Sequence, residues 1–345
     1  WEVHPSEWTS ATNRAWVPYI LAGPSQPWYS PVTLLVRWAD DAAELWNNLN
    51  PKGSVRSNIW MLRDAIKMHF FRPGFSWTLR SVRFIPYIVL AGCIPSASRY
   101  IAIPQNGMES EAIGICSSRL VSAFLRFYGE KFAWPKFLVG TVKRLPWPKI
   151  SEQVRQHLKK CMDEEVLRRR RAYQNHEPFH EFLLPIKVLD FCENGVALGF
   201  NPESLLDEEG EGLVAQSFGF DADEVVSIER DLREALKLQK NVGTAEGDGE
   251  QEDPDFVLDF SPLATEKTHF SYLIGLVFGR WDARYATGER SVPELPDPFA
   301  PLPVCPPGML QGDNGLPLSP EAGQILRAEG LYPLDVAWDG IVVDD

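Results

Sequence analysis

Four consecutive arginines, Arg168, Arg169, Arg170 and Arg171, form the densest cation cluster in the chain. Guanidinium groups stay charged and match phosphate oxygens with a planar fork. The run reads either as a phosphate contact or as a solvated helix end, balanced by Asp163, Glu164 and Glu165 one turn earlier. A second group, Lys143, Arg144, Trp147 and Lys149, alternates cations with an indole. That mixture suits backbone contact plus base stacking, and it equally suits a strand edge with a packed tryptophan. A third group, Arg72, Arg80 and Arg83, brackets Gly74 and Trp77. Arginines on such a loop can project together from one edge and read guanine O6 and N7 in a major groove, or lie over a small sheet.

Other chemistry finds little support. His176 and His180 have the i, i+4 spacing of helical metal ligands, with Glu177 and Glu181 beside them, but Pro178 argues against the helix. The five cysteines, 93, 116, 161, 192 and 305, contain no CxxC pair, so neither a disulfide framework nor a clustered zinc site is expected. Reduced thiols in the cytoplasm, with no metal, fit better. The only GxG pairs, Gly210/Gly212 and Gly247/Gly249, lie in acidic runs that would repel an anionic cofactor. Pro306-Pro307 follows Cys305 and precedes Gly308, so it lacks the polar and aromatic groups with which an amino-methyltransferase holds its target amine. Walker A, GxSxG and Asp/Glu-x-Lys patterns are missing as well. The expectation is a chain with no catalytic residue and no cofactor of its own.

These groups need elements to hold them. The 345 residues are 44% apolar and 23% charged, with enough Trp, Phe and Tyr for a real core, and no apolar run nears the 18 residues of a membrane span. The net charge of −13 is uneven, +9 over residues 1–190 and −22 over 191–345, so only the first half suits a polyanion. The first 30 residues read as irregular, and Val32–Ala39 as a strand followed by an Asp40-Asp41 helix cap. A helix over Val55–Phe70 is broken by Arg72-Pro73-Gly74. Val82–Ala91 and Arg99–Pro104 are strands joined by the turn-like CIPSAS, and Pro86 makes the first an edge or bent strand.

One helix is expected over Glu109–Phe132, with Ile113, Cys116, Leu120, Phe124 and Phe127 on its buried stripe. Phe137–Pro148 reads as a strand, and Ser151–Tyr173 as a helix with Val154, Leu158 and Cys161 inward. Glu203–Gly212 reads as acidic and exposed, Ala222–Lys240 as a charged helix and Gly243–Pro254 as a flexible linker. Thr268–Thr287 reads as one helix with Phe270, Leu273, Val277, Trp281 and Tyr285 on one face, followed by extended proline-rich chain. The fold class is therefore α+β, a small mixed sheet with several helices. The divisions expected are 1–150, a helical basic-to-acidic 151–240, the linker 241–254, and a C-terminal helix with an extended segment over 255–345. The start at Trp1 without Met and the end at Asp344-Asp345 suggest a piece of a longer protein.

FRPGFSWTLRS (Phe71–Ser81), GCI (Gly92–Ile94), ICSSRLVSAFLRF (Ile115–Phe127) and FLVGTVKRLPWP (Phe137–Pro148) together resemble the recognition portion of large N6-adenine DNA methyltransferases. These are the BREX- and DISARM-type phage-defence enzymes and related restriction-modification methylases. Tyr272–Gly288 and LPDPFAPLPVCPPGML (Leu295–Leu310) resemble the C-terminal part of the same proteins. The resemblance implies a target-recognition region that contacts double-stranded DNA, with S-adenosylmethionine and the catalytic loop in an N-terminal domain of the parent enzyme. A module docking another defence subunit, and a specificity subunit acting in trans, are the alternatives.

Overall fold

The computed structural model describes residues 15–20, 28–54, 62–79, 83–96, 99–105, 107–129, 136–185, 188, 206–242, 262–295 and 297–340. Among them the architecture is α+β, with two three-stranded sheets and eleven helices. No helix among them is long and apolar enough to cross a membrane. The expected linker over 243–254 lies outside these residues.

The first sheet corrects two expectations. Trp16–Ile20 (β1), in the stretch expected to be irregular, pairs antiparallel with Leu34–Arg37 (β2). It pairs parallel with the short strand Ile94–Pro95 inside the turn-like CIPSAS. That strand meets only Tyr19 and Ile20, so Pro18, which has no N–H to donate, needs a ladder partner on one side alone. The second sheet is antiparallel throughout, with Gly74–Trp77 (β3) between Pro86–Val89 (β4) and Ile101–Ala102. Pro86 opens β4, which is an edge strand, the position a missing N–H tolerates. In strand order the four are β3, β4, β5 (Ile94–Pro95) and β6 (Ile101–Ala102).

The helices follow their patterns less closely. α1 (Ala39–Trp46) does not use Asp40 or Asp41 as a side-chain cap; both, with Ala42, adopt left-handed φ values of 52°, 56° and 67°. Asp41 pairs with Lys67 instead. Of the helix expected over Val55–Phe70, residues 55–61 lie outside the described set, and the rest is the single turn α2 (Asp64–Lys67) with a following turn.

Glu109–Phe132 is two helices. Ser118 leaves the helix at ψ 149° after α3 (Glu109–Ser117), and its hydroxyl accepts from Val121 N–H at 3.2 Å to cap α4 (Arg119–Tyr128). The break resets the helical phase, so Ile113, Cys116 and Leu120 are buried while Phe127 is 61% exposed. Phe137–Pro148 is not a strand. Phe137 N–H donates to the Leu79 carbonyl, and the chain then turns once as α5 (Val139–Val142).

α6 (Glu152–Tyr173), capped by Ser151, buries Val154, Leu158, Met162 and Val166 and leaves Cys161 half-buried beside that stripe. The acidic segment expected to be exposed forms α7 (Glu208–Ser217), in which Gly210 and Glu211 are buried. The Glu211 carboxylate accepts from Arg119 N–H at 3.0 Å. α8 (Ala222–Val242) follows as expected.

The helix expected over Thr268–Thr287 divides into α9 (Pro262–Val277) and α10 (Ala283–Thr287). Gly279, at φ 66°, turns the chain so that Trp281 packs closely on Gly275, where a Cβ would strike the indole. Trp281 and Tyr285 are buried, but Phe270 and Leu273 face outward. The described proline-rich remainder forms no regular element until α11 (Pro320–Ala328); it turns repeatedly and buries Cys305 and Leu310.

Burial gathers into three clusters. The largest combines Trp77 and Ile88 of the second sheet, and Phe84 just before β4, with Ile113 of α3 and Leu158 of α6, so packing is continuous across residue 150. The second joins Phe182–Leu184 to Tyr272, Trp281 and Tyr332. The third places Val17, Trp38 and Phe70 around the first sheet.

The DPFAPLPVCPPGML segment acts as a strap between the first two clusters. Ala91 N–H donates to Phe299 O, Gly308 N–H to Phe182 O, and Asp282 N–H to Gly308 O. A Cβ on Gly308 would lie 2.8 Å from Leu183 Cα and closer still to its carbonyl oxygen. Gly308→Ala is therefore expected to cost about 1–3 kcal/mol. Gly212→Ala on α7 meets open space and should be neutral or stabilising by up to about 1 kcal/mol. Thermal melts of the two variants check the contrast; equal melting temperatures would mean the strap does not seat as described.

Candidate functional site

The four-arginine run does not form a continuous cationic face. Arg169 and Arg170 are only 6% and 5% exposed, which corrects their expected role as phosphate contacts. Glu165 receives Arg168 Nε and Nη2 at 2.7 and 2.6 Å and Arg169 Nε at 2.6 Å. Burial pushes the Glu165 carboxyl up, but Arg168 and Arg169 outweigh it and hold the group below its ordinary value. The Arg170 guanidinium sits 5.6 Å from the centre of the Tyr29 ring, a cation–π placement in the core. Burial pulls both buried guanidiniums below their ordinary range. Arg171 is exposed, whereas Arg168 is half-buried and commits Nε and Nη2 to Glu165.

The three loop arginines are not one group either. Gly74 pairs with Val89 and Trp77 with Pro86. Arg72 therefore leaves one end of the β3–β4 pair while Arg83 enters at the other, about 10 Å away along the strands. Arg80 lies outside the described residues. The expectation that all three project from one edge is corrected to this extent: Arg72 is exposed and stands apart, and Arg83 is half-buried.

The Arg83 end of the sheet joins the second basic group. Trp77 Nε1–H donates to Phe137 O at 2.8 Å, Phe84 packs on Phe137 with ring centres 5.3 Å apart, and Phe84 N–H donates to the Ser122 hydroxyl of α4. Phe137 leads directly into α5, which packs on α4. Lys143, Arg144 and Lys149 follow α5 and are exposed. Trp147 is 47% exposed, which favours a surface indole over a packed one. Phe127 and Tyr128, at the end of α4, are exposed too. Exposed cations and aromatic rings thus occur at the end of α4 and on the segment that follows α5, two helices in contact. Sequence reasoning missed Phe127 and Tyr128 because an unbroken helix would have buried the first.

His176 and His180 lie in a turn, not a helix. The His180 imidazole is hydrogen-bonded to the Pro303 carbonyl, and burial pushes its pKa down to about 4. Glu181 accepts from the Tyr29 hydroxyl instead of turning toward the histidines. Beside them opens a cleft of roughly 620 Å³, bounded by Val32–Leu35, Glu177–His180, α9, Arg280 and Val304. Arg280 and Glu177 pair across it at 3.5 Å. Its walls come from segments up to about 270 residues apart, so no local pattern announces it.

A different set of ligand-type groups does converge. His157 and Cys161, one turn apart on α6, meet Asp207 at the head of α7. No sequence motif links the third member to the first two. No protein-family model matches the chain, and no curated protein matches it.

Proposed function

We propose that the chain is the DNA-recognition segment of a site-specific adenine-N6 DNA methyltransferase from a bacterial phage-defence or restriction-modification system, working in the cytoplasm. The observation that carries this reading is the exposure of Lys143, Arg144, Trp147 and Lys149 after α5, and of Phe127 and Tyr128 on the adjoining α4, in the half of the chain with positive net charge. Cations there hold duplex phosphates and set the register, while the aromatic faces accept a distorted or unstacked base. In this reading Arg83, at the Trp77 end of the β3–β4 pair, reaches a groove, and Arg72, at the other end, serves a separate contact. The target adenine is flipped into a catalytic domain of the parent enzyme, where S-adenosylmethionine is held.

Among the segments that resemble the methyltransferase family, Ile115–Phe127 covers most of α4 and Phe137–Pro148 covers α5 and the basic segment after it. A second reading, docking of another defence subunit, is favoured by Phe270, Leu273 and Ile274. These lie at i, i+3 and i+4 on α9 with their side chains outward, within the acidic half of the chain.

Fluorescence anisotropy with duplex DNA separates the basic groups. Lys143→Ala/Arg144→Ala should flatten the log–log salt dependence by about 1.8, two phosphate contacts at about 0.9 each. Arg168→Ala/Arg171→Ala should change it by about 0.9 or less, since Arg168 is committed to Glu165. The reverse ranking would move the interface to the end of α6.

A further inference from the structure

The convergence of His157, Cys161 and Asp207 goes beyond any role in DNA recognition. His157 Nε2 lies 3.1 Å from Asp207 Oδ1 and 3.4 Å from Cys161 Sγ, and Sγ lies 3.7 Å from Asp207 Oδ2. A tetrahedral zinc ion holds nitrogen and oxygen ligands at about 2.0 Å and sulfur at about 2.3 Å. Those radii set ligand atoms about 3.3 Å apart for N···O and about 3.5 Å for N···S or O···S. The N···S separation matches its edge, and each carboxylate oxygen comes within a few tenths of an ångström of the edge to one partner, Oδ1 to His157 and Oδ2 to Cys161, so a small turn of the carboxylate completes the set through one oxygen.

Hydrogen bonds alone hold this group loosely: His157 Nε2 serves Asp207 Oδ1, and the Cys161 thiol reaches Asp207 Oδ2 only at 3.7 Å. The opposite nitrogen, Nδ1, faces Glu209 Oε1 at 3.9 Å. A carboxylate behind the second ring nitrogen is the arrangement that orients a metal-bound histidine and fixes its tautomer. Gly210 keeps the space clear: a Cβ there would sit 2.8 Å from Asp207 Oδ1 and 3.6 Å from His157 Nε2. Asp207, Glu208 and Glu209 also concentrate negative charge at this point, which suits a cation and not an anion.

We propose that His157 Nε2, Cys161 Sγ and an Asp207 carboxylate oxygen bind one zinc ion, with water in the fourth position, and clamp the head of α7 to the middle of α6. On binding, the Sγ–H bond breaks, its proton passes to solvent, and the sulfur electron pair forms the bond to zinc. Asp207 retains its second oxygen for the cap on Gly210 N–H, now 2.7 Å away. The clamp joins the basic half of the chain to the acidic half, whichever partner either half serves.

The test uses the full chain, stripped of metal and titrated with zinc, and with cobalt as an optical probe. One equivalent should bind in both cases, and cobalt should give the near-ultraviolet charge-transfer band of a single thiolate. Cys161→Ser should remove the band and weaken zinc binding about 100-fold or more. Asp207→Asn, which keeps the helix cap, should weaken binding while the far-ultraviolet circular dichroism of the metal-free chain stays unchanged. Zinc should raise the melting temperature of the wild-type chain and not that of Cys161→Ser. A wild-type chain that binds no zinc at micromolar concentration overturns the proposal. So does a Cys161→Ser chain that binds with unchanged stoichiometry and affinity.

Discussion

Asp282→Ala is expected to destabilise the fold by about 3–5 kcal/mol, the cost of leaving a mostly buried cation without its partner. The carboxylate has no exposed surface. Its Oδ1 accepts from Arg284 N–H at 3.1 Å and Arg284 Nε at 2.9 Å, and its Oδ2 from Arg284 Nη2 and Arg290 Nη1, both at 2.8 Å. One side chain therefore caps α10, neutralises two guanidiniums and fixes the turn that carries Trp281. Burial pushes its pKa up, but the Arg284 and Arg290 hydrogen bonds outweigh burial and hold it below the ordinary value. A carboxyl depressed in the folded state stabilises fully above its unfolded value of about 3.9, and that contribution fades as pH falls through the folded value. Urea denaturation at neutral pH should show the loss in Asp282→Ala, and the gap from wild type should narrow in strong acid. A loss under about 1 kcal/mol would contradict this account of the turn.

Glu181→Gln is expected to act in the opposite direction. Glu181 is buried, accepts from the Tyr29 hydroxyl, and is pushed up to about 7 by burial. Its folded value stands above the unfolded value of about 4.3. Stability is therefore fully present below about pH 4.3 and is lost as pH rises through about 7. Glutamine keeps an acceptor for Tyr29 and has no proton to lose. The variant should match wild type near about pH 4 and exceed it by on the order of 3 kcal/mol at about pH 8. Denaturation midpoints across that range read the effect directly; parallel pH profiles for the two proteins would show that Glu181 is ionised in the fold without cost.

Much of the fold is legible in the chain, and the failures share a physical cause. α6 has a full capping signal at Ser151 and a clean stripe through Val154 and Leu158, and it forms as its sequence indicates. Glu109–Phe132 carries an equally clean period, but Ser118 can cap from inside it, and tertiary packing selects two helices. The strand-like Val139–Val142 becomes a helical turn because Phe137 is already tied to Leu79 and Trp77, contacts about 60 residues away.

The site was legible in the same measure. The exposed cations beside Trp147 could be named from local composition. The burial of Arg169 and Arg170 could not, since it depends on Tyr29 and the chain near Asp297. His157 and Cys161 stand four residues apart, but the stripe through Val154 and Leu158 claimed Cys161 for the core, and Asp207, on a separate helix head, carries no local signal.

The central claim, that the positive half of the chain grips duplex DNA, is tested most directly by one titration. The affinity of the intact chain for a fluorescent duplex is measured as salt is raised. Lys143, Arg144, Lys149 and Arg171 are exposed, so at least three phosphate contacts are expected, with a log–log slope of about −2.7 or steeper. No binding at low salt, or an affinity indifferent to salt, would contradict the claim and leave the outward apolar face of α9 as the better guide to what this chain does.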